Sequence, residues 1–247
     1  MIRKFATVCA LAAFVLATAS CQKLQARDQL VKGIKAFKES KFERAAEYFD
    51  KAHQLDPDLA NAQLYLATAY AQQFDPNVPP VPGGDNEKYA KQAIATFESV
   101  LEKDPKNASA VAGLAGLYQG LKDLNKSREY YKKQTELEPA NPIPYYAVAS
   151  TNWLRIRDKS VPLSDQEKSE AVEEGLQYVD KALERNANYQ EALAYKNLLL
   201  RDKAAASKDP AEAKRYLEEA DVYFNKALAA RNQPAPAVDP KAAEEKK

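Results

Sequence analysis

Histidine occurs once, cysteine twice and glycine seven times in the 247 residues, and each scarcity closes off a class of chemistry. The lone His53 has no second histidine with which to hold a metal or share acid–base work. Its place after Ala52 on a charged helix gives it a solvated or capping role. Gly83-Gly84 lies in a Pro-rich stretch with no Lys-Ser/Thr behind it, so it is not a phosphate loop. Acidic residues are many, but none recur at metal-ligand spacing; most read as helix caps and solvated faces. Without a nucleophile–base pair, a metal set or a phosphate cradle, the sequence gives no reason to expect an enzyme or a cofactor. Neither charge sign dominates: the formal charge is +1, and about −1 once Arg3 and Lys4 are set aside. That balance carries no nucleic-acid footprint and no polybasic membrane patch.

What is present begins with a leader. Arg3 and Lys4 precede an apolar run from Phe5 to Ala17, too short for a permanent bilayer span, and small residues follow. Residues 1–20 therefore read as a signal peptide, and no other segment approaches 18 apolar residues. Two processing sites compete. Ala17-Thr18-Ala19 fits ordinary cleavage. Thr18-Ala19-Ser20-Cys21 resembles the lipobox of bacterial lipoproteins, from which it departs at Thr18, where an aliphatic residue is usual. Cys9 leaves with the leader, so Cys21 is the only thiol of the mature chain. A lone exported cysteine has no internal disulfide partner, and lipidation accounts for its number and place.

Scarce glycine and abundant Ala, Leu, Lys, Glu and Gln favour helix, and the helices repeat. Pro57, Pro105 and Pro139 each follow an acidic residue and lie 48 and 34 residues apart. In residues 26–59, Gly33 is followed by Ala45, Phe49 and Ala52 on one helical face and by Pro57. Ser40-Lys41-Phe42-Glu43 reads as a capping box that starts the second helix. Residues 60–107 carry Ala67, Tyr70, Ala93, Phe97 and Pro105. Residues 108–141 carry Leu114, Ala115, Tyr118, Ser127, Tyr131 and Pro139. Residues 142–189 open on Asn141-Pro142 and carry Ala149, Gly175, Val179 and Ala182, with Ser164 and Glu167 as a further capping box. Residues 190–231 are degenerate: Ala194 and Leu198 start them, Asp209 caps, and Ala220, Phe224 and Ala227 repeat the packing triad. Insertions fall in the second unit (QFDPNVPPVPGGDN) and the fourth (RDKSVPLSDQEK). Residues 21–25 form a linker, and residues 232–247 lack apolar periodicity and read as a disordered tail.

Five such units resemble the tetratricopeptide repeat (TPR). The resemblance implies an all-α solenoid, a right-handed superhelix of helix–turn–helix pairs with a concave groove lined by the first helices. It places Lys38, Asn61, Gln72, Gln119, Tyr146, Ser150, Trp153 and Arg201 on that groove as candidate partner contacts, although Trp153 reads equally well as core. Leu30 and Ile34 stand where a carboxylate clamp would need Lys and Asn, which argues against a receptor for chaperone tails. The expected function is a non-enzymatic scaffold or adaptor of the bacterial cell envelope that binds proteins or peptides. It would be exported, anchored to a membrane through lipid on Cys21 and facing the periplasm. The alternatives are a soluble periplasmic protein, and an accessory peptide- or substrate-binding subunit of an uptake, secretion or degradation system.

Overall fold

The computed structural model describes residues 21–231, and among these every regular element is helical. The signal peptide assigned to 1–20 and the tail assigned to 232–247 lie outside the described residues. The helices are α1 (21–38), whose first turns take in the residues 21–25 expected as a linker, α2 (Phe42–Leu55), α3 (Ala60–Ala71), α4 (Asp85–Lys103) and α5 (Ala108–Gly120). They continue with α6 (Leu124–Leu137), α7 (Pro142–Arg157), α8 (Asp165–Arg185), α9 (Gln190–Ala206) and α10 (Pro210–Arg231). The class is the all-α repeat solenoid.

The described residues divide into two compact units, with the boundary between Leu137 and Glu138. In the first, each helix from α2 to α6 packs on its neighbour, and the first helices α3 and α5 also touch. In the second, α7 to α10 pack in sequence, and α7 meets α9.

Proline sets several helix ends. A residue before proline is driven out of the α region, and proline offers no N–H to continue the ladder. Asp56 and Asp104 accordingly turn extended (φ −144°, ψ 90° and φ −133°, ψ 86°) just before Pro57 and Pro105. Asn186 adopts the same geometry (φ −146°, ψ 96°) although Ala187 replaces the proline. At the other ends, Asn141 accepts from the Ile143 amide, and Ser164 and Glu167 form the expected reciprocal capping box.

The capping box read at Ser40–Glu43 is not formed. α2 starts at Phe42 behind Lys41, with no side-chain cap. Ser40 instead closes α1: its φ is +57°, its amide donates to Phe37 and the Lys41 amide donates to Ala36. That pair of bonds is a Schellman ending, in which a left-handed residue satisfies the last carbonyls of the helix.

The first unit holds two apolar clusters, around Phe49 and around Phe97, whose side chains are 1% and 2% exposed. Each ring lies against a glycine backbone. A Cβ built on Gly33 would sit 2.5 Å from Phe49, and one on Gly113 would sit 2.3 Å from Phe97. In the second unit Val179 is fully buried at the matching register, and Leu199 presses on Gly175 at 2.9 Å by the same construction. The fifth repeat departs from its expected packing. Ala220 and Ala227 are buried, but Phe224 is 47% exposed because no described helix follows α10. In α9 the buried side chains are Ala192, Leu193, Lys196, Asn197, Leu199, Leu200 and Ala204, with Ala194 and Leu198 only half-buried.

Phe49→Ala and Phe97→Ala should each cost about 3–5 kcal/mol in denaturant unfolding, as for other buried Phe deletions. Gly113→Ala should also destabilise. Replacing a mid-helix glycine gains about 1 kcal/mol of helix propensity, but displacing the ring costs about 1–3 kcal/mol. A stabilised Gly113→Ala protein would contradict the ring-on-glycine packing.

Candidate functional site

Three of the residues placed on the groove by sequence, Tyr146, Ser150 and Trp153, are brought together on α7. Their spacing of four and three residues puts them on one helical face. Ser150 is buried; its hydroxyl donates to the Ala147 carbonyl at 3.0 Å and also bonds the Tyr146 hydroxyl. Tyr146 meets Tyr189 and Tyr195 edge-to-face, with centroids 5.3 and 5.4 Å apart. Trp153 meets Tyr195 at 5.5 Å, nearly perpendicular. Tyr195 on α9 thus ties the two α7 aromatics together. Such T-shaped pairs place positive ring edges against negative faces and hold the rings in fixed orientations.

A cation completes the cluster. The Arg157 guanidinium lies 3.9 Å over the Trp153 ring. Its two terminal nitrogens donate to the Asp202 carboxylate at 2.9 and 2.8 Å, a forked pair between α7 and α9. The Trp153 indole nitrogen and the Thr151 hydroxyl are shielded from solvent with no hydrogen-bond partner among the described residues. All four rings remain partly open to solvent. Burial, and then the neighbouring Tyr195, Tyr189 and Glu191, push the Tyr146 phenol up to about 12. Burial also raises Tyr189 and Tyr195.

The fourth candidate of this unit is drawn elsewhere. Arg201 donates to Asn197 on its own helix at 2.9 Å and to Asp221 on α10 at 2.6 Å. In the first unit Lys38 is exposed in the last turn of α1, Asn61 is exposed at the start of α3, and Gln72 is exposed as its C-cap. Gln119 is half-buried, and its side-chain oxygen accepts from Tyr131 at 2.9 Å. Tyr189, Tyr195, Arg157 and Asp202 escaped the sequence reading. Two tyrosines six apart at the head of a first helix, in the repeat with the weakest signature, were the available signal.

The Pro-rich insertion between α3 and α4 is pinned at its base. Asn86 accepts from the Asp75 amide at 2.8 Å and donates to the Asp75 carbonyl at 3.0 Å. Phe74 is buried against the backbone of Gly120, and Val78 and Val81 are exposed. Among the described residues no His/Cys/Asp/Glu group has the geometry to hold a metal ion, and no helix is long and apolar enough to cross a membrane.

The tetratricopeptide-repeat family model matches residues 87–150. No curated protein matches the sequence. Among solved structures, the chain is similar to a MamA protein, with 15% identity over 87% of this chain and 98% of that one and a TM-score of 0.59. The MamA of Desulfovibrio magneticus RS-1 gives 14% identity over 86% and 98%, with a TM-score of 0.60. YrrB, described as a TPR protein with an unusual peptide-binding site, gives 16% over 83% and 91%, with a TM-score of 0.54. At these identities the likeness is one of fold.

The raised Tyr146 pKa has a checkable consequence. A phenol held above its unfolded value of about 10 favours the neutral form. Its contribution to stability is complete below pH about 10 and is lost as the pH rises toward 12. Subtracting the phenolate absorbance titration of Tyr146→Phe from that of the wild type should isolate one step well above pH 10. A step centred near 10 would mean that the ring is solvated.

Proposed function

We propose that the protein is a non-enzymatic scaffold of the bacterial cell envelope that holds an extended segment of a partner protein on the α7–α9 face. The observation that carries this reading is the ladder of Tyr146, Tyr195 and Trp153 with Arg157 stacked on its end. Tyr, Trp and Arg dominate binding hot spots because each offers a large area together with a polar group. Rings already locked against one another lose little entropy on docking. Their faces suit proline and other apolar side chains. The tyrosine hydroxyls suit backbone carbonyls. YrrB supports the reading to the extent that its similar fold carries a peptide-binding site.

The envelope assignment rests on the leader and on Cys21, which is exposed at the start of α1. In this proposal Cys21 becomes the lipid-bearing N-terminus and the repeats face the periplasm. A single acyl chain binds membranes only marginally, at about 0.8 kcal/mol per buried CH₂, whereas the several chains of a bacterial lipoprotein hold firmly. Cys21→Ala should therefore abolish metabolic fatty-acid labelling and release the protein from membranes. Unchanged labelling and partitioning would refute the anchor while leaving the groove reading intact.

Binding is tested by crosslinked pull-down from membranes with quantitative mass spectrometry. Tyr146→Ala should weaken recovery of the specific partner by about 1–2 kcal/mol, roughly 5- to 30-fold, with the helical circular dichroism signal retained. Arg157→Ala should act in the same direction. Recovery equal to wild type in the double variant would move the interface off this face.

A further inference from the structure

The tenth helix carries an apolar stripe that no described residue covers. Leu217, Phe224 and Leu228 recur at i, i+7 and i+11 and are 41%, 47% and 44% exposed. The repeat explains why they are apolar. Phe224 lies between Ala220 and Ala227 as Phe49 lies between Ala45 and Ala52, and as Phe97 lies between Ala93 and Val100. Phe49 stacks on Tyr65 of the following helix α3 at 5.4 Å, and Phe97 seats on Gly113 of the following helix α5. The register of Leu217 is held in α4, α6 and α8 by Ala90, Leu124 and Val172, all buried, and in α2 by the half-buried Phe42. α10 therefore presents a seat for a further first helix, and among the described residues no helix takes it.

The other end of the repeats bears the reciprocal face. Val31 occupies in α1 the position that Tyr65 occupies in α3 and Gly113 in α5, where a first helix meets the ring of the helix before it. Val31 is 65% exposed, and Leu24, seven residues earlier on the same face, is 70% exposed. No described helix precedes α1. The position tolerates both a glycine and a tyrosine at internal junctions, so a valine suits it.

We propose that copies of this chain associate head to tail, with α1 of one copy seated on α10 of the next in the manner of the internal α2–α3 and α4–α5 junctions. Charge favours this occupant. α1 carries Lys23, Arg27, Lys32, Lys35 and Lys38 against a single acidic residue, Asp28, so two α1 helices repel each other. α10 instead balances Lys214, Arg215, Lys226 and Arg231 with Glu212, Glu218, Glu219 and Asp221, and antiparallel packing with Val31 on Phe224 brings Lys35 and Lys38 toward Glu218 and toward Asp221, which Arg201 also holds. A symmetric α10–α10 pair would leave Val31 and Leu24 uncovered, whereas the head-to-tail pair covers both faces. Residues 232–247 are poor substitutes, because their only apolar side chains are Ala and Val and prolines stand at 234, 236 and 240. A heterologous interface of this kind does not close on itself unless its rotation makes a ring, so it propagates.

The test uses the chain purified from expressing cells as those cells process it, in detergent where it is membrane-bound. Sedimentation velocity of the wild type should show growth past dimer with concentration. Val31→Glu and Phe224→Glu should each sediment as monomers with unchanged helical signal, since both side chains are already exposed. Mixed in equal amounts they should form dimers and nothing larger, because only one compatible pair of faces remains. A monomeric wild type up to ~0.5 mM, where even a weak contact populates, would overturn the proposal. So would a mixture that stays monomeric, or either variant associating like the wild type. If a charged variant misfolds, a photocrosslinking residue at 224 decides instead. Adducts on residues 24–35 of another copy support the junction, and adducts elsewhere or none overturn it.

Discussion

The seating of a large side chain on a glycine backbone governs how closely these helices approach. A glycine removes the Cβ that would hold two helices apart, and the ring then fills the space in full contact on both sides. Phe49 touches Gly33 of its own repeat and stacks on Tyr65 of the next, so one ring fixes three helices. Phe97 places its glycine contact differently, on Gly113 of the following repeat, and so joins α4 to α5. The contact is unforgiving, since neither partner can change size without moving a helix. Contacts of this kind occur between α1 and α2, between α4 and α5 and between α8 and α9, and each gives its helix pair a defined relation before any polar contact is counted.

This dependence explains why the fold was legible in the sequence. The small–Phe–small triads and the acidic-Pro ends sit where the wedges and the helix stops occur, and both have local physical causes. Ser40–Glu43 shows the limit of local reading. The sequence satisfies a capping box, but the same Ser40 is better placed to close α1 in the left-handed conformation, and a residue cannot do both. Phe224 shows a second limit. Its pattern is that of a core residue, yet burial depends on a following helix that a pattern cannot supply.

The candidate site was legible only in part, for a related reason. Tyr146 and Trp153 could be placed through the register of the repeat resemblance, which is strong across α7. Tyr195 could not, because its role arises from contact between consecutive first helices, and the degenerate α9 gives a weak register. Arg201 and Gln119 fit the groove positions by number, but each has a stronger intramolecular partner in Asp221 and Tyr131. Long polar side chains choose among several acceptors within reach, so spacing alone does not settle where they point.

The second unit compensates for its smaller wedge with cations laid across helices. Val179 fills less space than the Phe at the same register, and around it Lys196 joins three helices. The buried Lys196 ammonium on α9 donates to Asp180 of α8 at 2.6 Å and to the Tyr223 hydroxyl of α10 at 2.8 Å, 4.1 Å above that ring. Burial by itself would lower its pKa, but the bonds to Asp180 and Tyr223 outweigh that and hold it above the ordinary lysine value. A charge so placed adds little net stability over an apolar residue, because desolvation consumes most of the attraction. Asp180 itself is half exposed, but removing it would cost more than the pair contributes, since the ammonium would be left buried with less to hold it. Its effect is therefore on alignment: α8, α9 and α10 can slide over an aliphatic contact, but only one register satisfies Lys196. That register is also the one that sets the stripe of α10 facing outward, so the polar link and the open apolar face are two consequences of one packing arrangement.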